Sequence, residues 1–114
     1  MIEFQKQYSF DERLTESKKI RSKYPDRIPI IVESNDSTIP KIDKKKFLVP
    51  CDITVSQFIY VIRKRIKLNS TTALFLFING KIPKSSELLV NVDKEHCNED
   101  GFVYMVYSGE NTFG

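Results

Sequence analysis

The residues able to carry chemistry in this chain are few and scattered. A single histidine, His96, stands beside one of two cysteines in the segment Glu95-His96-Cys97-Asn98-Glu99-Asp100. Adjacent side chains on a helix point about 100° apart, so this pair is poorly placed for a base to activate a thiol. One histidine also cannot supply the clustered ligands of a metal centre. Cys51 and Cys97 lie far apart, in no Cys-x-x-Cys pattern, and both read as free thiols. Gly80, Gly101, Gly109 and Gly114 do not form a phosphate cradle, because none opens a helix after a strand in the required spacing. The carboxylate pairs Asp11-Glu12 and Glu99-Asp100 read as solvated or cap-related. The expectation is a chain that is not an enzyme, has no cofactor or metal of its own, and works through its surfaces and its end.

That end is distinctive. Gly114 follows the polar stretch Ser108-Gly109-Glu110-Asn111-Thr112, which leaves directly from a strand. A terminal glycine has no side chain to obstruct its carboxylate. It can thread a narrow channel, be adenylated, pass to enzyme thiols and be joined to an amine.

Composition sets the frame for these elements. With 114 residues, 40% of them hydrophobic and 29% charged, the chain fits one domain with one core. Its apolar runs are far shorter than the roughly 20 residues needed to span a bilayer, and its amino end lacks the apolar stretch of a secretory signal, so a cytosolic start is expected. The net charge of +3 is unevenly spread. Lys41 to Lys67 holds eight basic residues against Asp43 and Asp52, whereas Glu87 onward holds six acidic residues against Lys94. A basic face of this kind attracts acidic peptides or anionic headgroups, or simply guards a strand edge. The charge is too modest to mark a nucleic-acid binder.

Local signals predict the order of elements. Ser9-Phe10-Asp11-Glu12 is a capping box opening a helix over 10–23, with Phe10, Leu14, Ser17 and Ile20 as a thin apolar stripe, ended at Tyr24-Pro25. Arg27 to Glu33 is β-branched and reads as a strand, and Lys44 to Val49, closed by Pro50, as its antiparallel partner. Thr54-Val55-Ser56-Gln57 supplies a second capping box for a central helix over 55–67, with Val55, Phe58, Ile59, Ile62 and Ile66 on one face. A buried strand over 74–78 closes at Asn79-Gly80, a short helix spans about 87–95, and a last strand covers 102–107. The order implies an α+β, β-grasp (ubiquitin-like) fold: a mixed four-stranded sheet on a central helix, with an N-terminal helical extension. Residues 1–24 would form that extension, 25–107 the core and 108–114 a conjugation tail. Phe47 and Val49 fit either the core or a docking edge, since an edge strand can accept an extended peptide. Phe75 and Phe77, two apart on one strand face, leave the same choice open.

The segments Arg27-Ile28-Pro29-Ile30-Ile31, Lys45-Lys46-Phe47-Leu48-Val49-Pro50, Thr54-Val55-Ser56-Gln57-Phe58, Leu74-Phe75-Leu76-Phe77-Ile78-Asn79 and Tyr107 to Gly114 closely resemble the autophagy ubiquitin-like modifiers of GABARAP type, in order and from about Tyr8 onward. The resemblance implies a modifier whose Gly114 is activated by an E1-like enzyme, passed through an E2-like enzyme and joined to phosphatidylethanolamine. It implies a role in autophagosome formation and recruitment of cargo receptors, with the protein cytoplasmic until lipidation places it on autophagosome, vesicle or vacuole membranes. It further implies two pockets for a short aromatic-x-x-aliphatic motif. Glu16, Ile20, Pro29, Ile31, Lys46, Leu48 and Phe102 would line the aromatic pocket, and Phe47, Val49, Pro50, Ile53, Phe58, Val61 and Ile62 the aliphatic one. Arg27, Lys44, Lys46 and Arg65 would meet acidic residues flanking the motif, and Phe75 and Phe77 would form a conjugation or membrane face. Phe47 stands where a tyrosine is common, and Asp93 where the family usually has an aromatic residue. Nothing follows Gly114, although many family precursors carry residues there that a cysteine protease removes. The alternative is a ubiquitin-like peptide-binding adaptor that is never conjugated.

Overall fold

Two capping boxes launch the long helices, as the sequence predicts. In the computed structural model, which describes residues 2–110, Ser9 Oγ accepts from Glu12 N–H at 3.1 Å while Glu12 accepts from Ser9 N–H at 2.9 Å. Thr54 and Gln57 make the same reciprocal pair. Such caps satisfy amides that no helical carbonyl can reach, at about 1 kcal/mol each.

The elements are α1 (Glu3–Gln7), α2 (Phe10–Lys23), β1 (Arg27–Ser34), β2 (Lys46–Pro50), α3 (Val55–Arg65), β3 (Phe75–Phe77), α4 (Leu89–His96) and β4 (Val103–Ser108). The strands form one mixed sheet in the order β2-β1-β4-β3, with β1 antiparallel to β2 and parallel to β4, and β3 antiparallel to β4. This is the expected β-grasp arrangement. Pro29 costs it nothing: the register puts it opposite Leu48, in a pair that exchanges no ladder bonds, and β4 begins only beside Ile30.

β1 is buried on both faces, which its unbroken apolar run requires. Ile28, Ile30 and Val32 join Phe58 and Ile62 of α3, Leu76 of β3 and Val103, Met105 and Tyr107 of β4 in the main core. Ile31 faces the other way, into a smaller cluster with Phe4 of α1 and Phe102. Three layers result, with α3 and α4 on one side of the sheet and α1 and α2 on the other.

Several expectations differ from this structure. The short helix α1 was not legible locally: its N-cap, Ile2, offers no side-chain cap, and Glu33 of β1 instead accepts from the Glu3 and Phe4 amides at 2.9 Å each. The α2 stripe is only partly buried. Phe10 is 41% exposed, Leu14 and Ile20 are half-buried, with Ile20 packed against the smaller cluster, and the fully buried residue of the stripe is Ser17. Asp100, read as solvated or cap-related, is fully buried between Arg13 and Tyr104. Among the described residues no helix is long and apolar enough to cross a membrane.

Candidate functional site

Strand β2 is one rim of the sheet, and its register decides what it exposes. Val32 N–H donates to Lys45 O at 2.8 Å, and Cys51 N–H to Asp26 O at 3.0 Å. The bonded pairs with β1 therefore fall on the odd residues of this strand, Phe47 opposite Ile30 and Val49 opposite Ile28. Lys46 and Leu48 consequently turn their backbone N–H and C=O toward the open edge. Arg27 Nη1 already donates to the outward Leu48 carbonyl at 3.1 Å.

Side chains alternate in the opposite sense. Phe47 and Val49 point into the main core, where the Phe47 ring meets Phe58 edge-on at 5.6 Å, so the choice left open by the sequence falls to the core. Lys46 and Leu48, cross-strand from Ile31 and Pro29, face α2. There Lys46 Nζ forms an ion pair with Glu16, bridging helix and strand. Behind the pair lie Ile31 and Phe102, both fully buried, with Ile20 packed against them and Phe4 edge-on to Phe102 at 5.3 Å. The seven residues expected to line an aromatic pocket thus lie together between α2 and β2. Ile31 and Phe102 form the floor of this cluster, and the Glu16–Lys46 pair lies across it. The signal for Phe4, missed by the sequence reading, is its place in an amino end that alternates polar and aromatic residues.

The aliphatic set is divided by depth. Phe58 and Ile62 are fully buried, Phe47 and Val49 nearly so, Ile53 is half-buried, and Pro50 and Val61 are exposed. Pro50, Ile53 and Val61 are therefore the members that reach the surface, over a floor made by the others. Among the expected cations, Lys44 Nζ lies 5.7 Å from the centre of the Phe47 ring and Arg65 Nε bonds Asp43 at 3.1 Å. Lys45 is drawn away toward Glu3 at 2.9 Å.

At the opposite rim, Phe75 is half-buried and Phe77 buried, on the sheet face away from α3. A cleft of about 420 Å³ opens there between β3, β4 and α1, lined by Phe77, Val106, Tyr104, Asn79 and His96 among others. His96 Nδ1 is 3.1 Å from the Asn79 amide nitrogen. Burial pushes the neighbouring Cys97 thiol upward, against the lowering effect of Arg21, which is the reverse of an activated nucleophile. Both cysteines are free.

Helix α2 is held over the sheet by polar bonds. Arg13 Nη1 pairs with Asp100 Oδ2 at 2.5 Å, and the Tyr104 hydroxyl donates to the same carboxylate. Burial, then the bond to Asp100, raises the Tyr104 hydroxyl well above the usual phenol range. Ser17 Oγ donates to the Asp100 carbonyl, and a Cβ on Gly101, whose φ is +89°, would collide with that serine. Arg21 grips Asp93 bidentately at 2.9 and 2.8 Å and donates to Gly101 O, giving the unusual Asp93 a structural role. Gly114 lies outside the described residues.

Comparisons with known proteins agree with this geometry. Residues 12–114 match the model of the family described as autophagy protein Atg8, ubiquitin-like. The chain is 57% identical over 113 residues to Autophagy-related protein 8 of Schizosaccharomyces pombe, covering 98% of this chain and 93% of that protein. It is 56% identical over 105 residues to Autophagy-related protein 8a of Arabidopsis thaliana, covering 91% and 86%. The crystal structure of Trypanosoma brucei ATG8 superposes with a TM-score of 0.92 at 42% identity, covering 100% of this chain and 99% of that one. Plasmodium falciparum Atg8 in complex with an Atg3 peptide superposes at 0.88 with 37% identity, covering 97% and 98%. Matched by the family model from residue 12 to 114 and by relatives more than half identical over nearly its whole length, the protein belongs to the Atg8 family of autophagy ubiquitin-like proteins.

Proposed function

We propose that this protein is a modifier joined through Gly114 to phosphatidylethanolamine, and that the β2 edge recruits partners by binding short aromatic-x-x-aliphatic motifs. The observation that carries the motif-binding half is the edge itself: outward backbone groups at Lys46 and Leu48, above a clustered apolar floor. An extended peptide would pair with those groups while its aromatic residue displaces the Glu16–Lys46 contact and its aliphatic residue settles by Pro50 and Val61. Acidic flanking residues would find Arg27, Lys44, Lys46 and Arg65. That Plasmodium falciparum Atg8 is found with an Atg3 peptide supports a peptide-docking role here.

Conjugation would use the chemistry of other proteins. The Gly114 carboxylate attacks the α-phosphorus of ATP and releases pyrophosphate, giving an acyl adenylate. A cysteine thiolate of an E1-like enzyme displaces AMP, and an E2-like cysteine takes the acyl group by thiol exchange. The amine of phosphatidylethanolamine then attacks the thioester, loses a proton as the thiol departs, and is left in an amide. A cysteine protease would process or reverse the conjugate. The added lipid would carry a chain with no spanning helix among its described residues from the cytoplasm to an autophagosomal membrane.

Two experiments test the reading. Leu48→Ala should weaken a Trp-x-x-Leu peptide by about tenfold in calorimetry, and Lys46→Glu should weaken mainly peptides with flanking carboxylates. Unchanged affinities would remove the β2 edge from the account. Gly114→Ala should abolish lipidation by cognate enzymes, and a carboxyl-terminal peptide never found carrying lipid in a membrane fraction would favour the unconjugated adaptor.

A further inference from the structure

The connection between β1 and β2 is tied to the start of the carboxyl tail through one carboxylate. Asp36 Oδ1 accepts from the Thr38 amide at 2.8 Å and the Thr38 hydroxyl at 2.6 Å, which fixes the side chain within its own loop. Ser34 Oγ bonds the Asp36 backbone on both sides, accepting from its N–H at 3.1 Å and donating to its carbonyl at 3.2 Å. The second oxygen, Oδ2, then reaches the end of β4. It accepts from Gly109 N–H at 2.8 Å and from the Ser108 hydroxyl at 3.3 Å. Ser108 Oγ accepts in turn from Glu110 N–H at 3.2 Å. Donation from Thr38, Gly109 and Ser108 holds the Asp36 carboxyl down to about 2.

None of these bonds is needed to complete the sheet. The ladder with β1 ends at Tyr107 and that with β3 at Ser108. Where the sheet runs out of acceptors, an aspartate supplies the next one, and close packing confirms the seat: a Cβ on Gly109 would lie 2.6 Å from Ile39 Cδ1 and 3.2 Å from Asp36 Oδ2. The described bonds thereby run as far as Glu110, four residues before Gly114. Four residues span at most about 14 Å, whereas the six that follow Ser108 span about 21 Å. Because effective concentration falls at least as the −3/2 power of tether length, lengthening the tether from four residues to six dilutes the terminal carboxylate about twofold or more.

We propose that Asp36 is a positioning residue for conjugation: by clamping Ser108 and Gly109 to the β1–β2 loop, and Glu110 through the Ser108 hydroxyl, it sets where Gly114 can reach, and so raises the rate of acyl transfer without touching the reacting atoms. The proposal rests on Gly114 being the acyl donor. Its consequence is a kcat effect, because docking of the folded domain on an enzyme is left intact.

The test uses the full chain with cognate activating and conjugating enzymes, ATP and phosphatidylethanolamine vesicles, following activating-enzyme thioester formation against modifier concentration. Asp36→Ala should lower kcat about two- to fourfold with KM changed less than twofold, and Asp36→Asn, which keeps one oxygen acceptor, should recover part of the loss. The Gly109 amide should exchange with solvent at least tenfold faster in Asp36→Ala, while affinity for a motif peptide at β2 stays within twofold. Normal kcat despite a released Gly109 amide would overturn the proposal, as would a kcat loss matched by an equal loss of peptide affinity, which would indicate general damage to the loop. If Gly114→Ala conjugates like the unaltered chain, the acyl-donor reading fails and takes this proposal with it. A strict Gly114 requirement with no Asp36 effect removes this proposal alone.

Discussion

Helices α2 and α3 cover opposite faces of one sheet, and they are attached by different physics. Helix α3 buries Val55, Phe58 and Ile62 almost completely, so the hydrophobic effect holds it. Helix α2 fully buries only Ser17, lays the half-buried Ile20 on the smaller cluster, and is fastened mainly by the Arg13–Asp100 pair, the Arg21–Asp93 fork and the serine hydroxyl. Apolar attachment is non-directional and tolerates small shifts, whereas polar attachment depends on geometry and on charge state. The difference makes the seat of α2, where the half-buried Glu16–Lys46 pair guards the β2 edge, the one that responds to charge state, and the seat of α3 the one that does not.

The sharpest way to break the comparison is to remove an anchor from each side. Phe58→Ala should cost about 4 kcal/mol in chemical denaturation, as deletion of a fully buried ring in the main core. Asp100→Ala should cost about 3 kcal/mol, because it leaves Arg13 largely buried without its partner. The two losses should differ in kind. Hydrogen exchange should rise throughout the domain for Phe58→Ala, but first along α2 for Asp100→Ala; a uniform rise in both would mean that α2 is not separately held.

Smaller effects should come from the caps, which are alike in form. Ser9→Ala and Thr54→Ala should each cost about 1 kcal/mol by thermal or denaturant unfolding. If the attachments differ as described, Ser9→Ala should fray α2 locally, while Thr54→Ala should lower global stability. The smallest expected effect is one of pH. The α2 box uses Glu12, whose carboxyl is held below 4.5 by the Ser9 amide and hydroxyl, whereas the α3 box uses the neutral Gln57. Because the folded value is depressed, the contribution of Glu12 is complete above the ordinary value and is lost as pH falls through the lowered one. Amides at the start of α2 should therefore lose protection in acid before those of α3, and Glu12→Gln should remove that difference.

Legibility in the sequence follows the same division. The apolar periodicity of 55–66, the β-branched run of 27–33 and both capping boxes are local signals, and each yields its element with ends within a residue or two. Helix α1 is different, because its cap is a glutamate 30 residues away. So is Asp100, whose neighbours in sequence suggest water but whose partners come from α2 and β4. Of the candidate site, the clustering around Ile31 and Phe102, the depth of Phe58 and Ile62 and the pairing of Lys46 with Glu16 had no local sign. Nor did the Asp36 clamp, which joins residues 73 apart.

By itself, then, the sequence determined the order of elements from α2 onward and the β-grasp sheet they form, because capping, periodicity and β-branching act within a few residues of chain. Only the tertiary structure decided which backbone groups of β2 face outward, which apolar residues form a floor and which a rim, and how α2 and the tail root are fastened. Those outcomes depend on strand register and on single carboxylates meeting donors that the fold brings from distant segments, and no short-range pattern encodes such meetings.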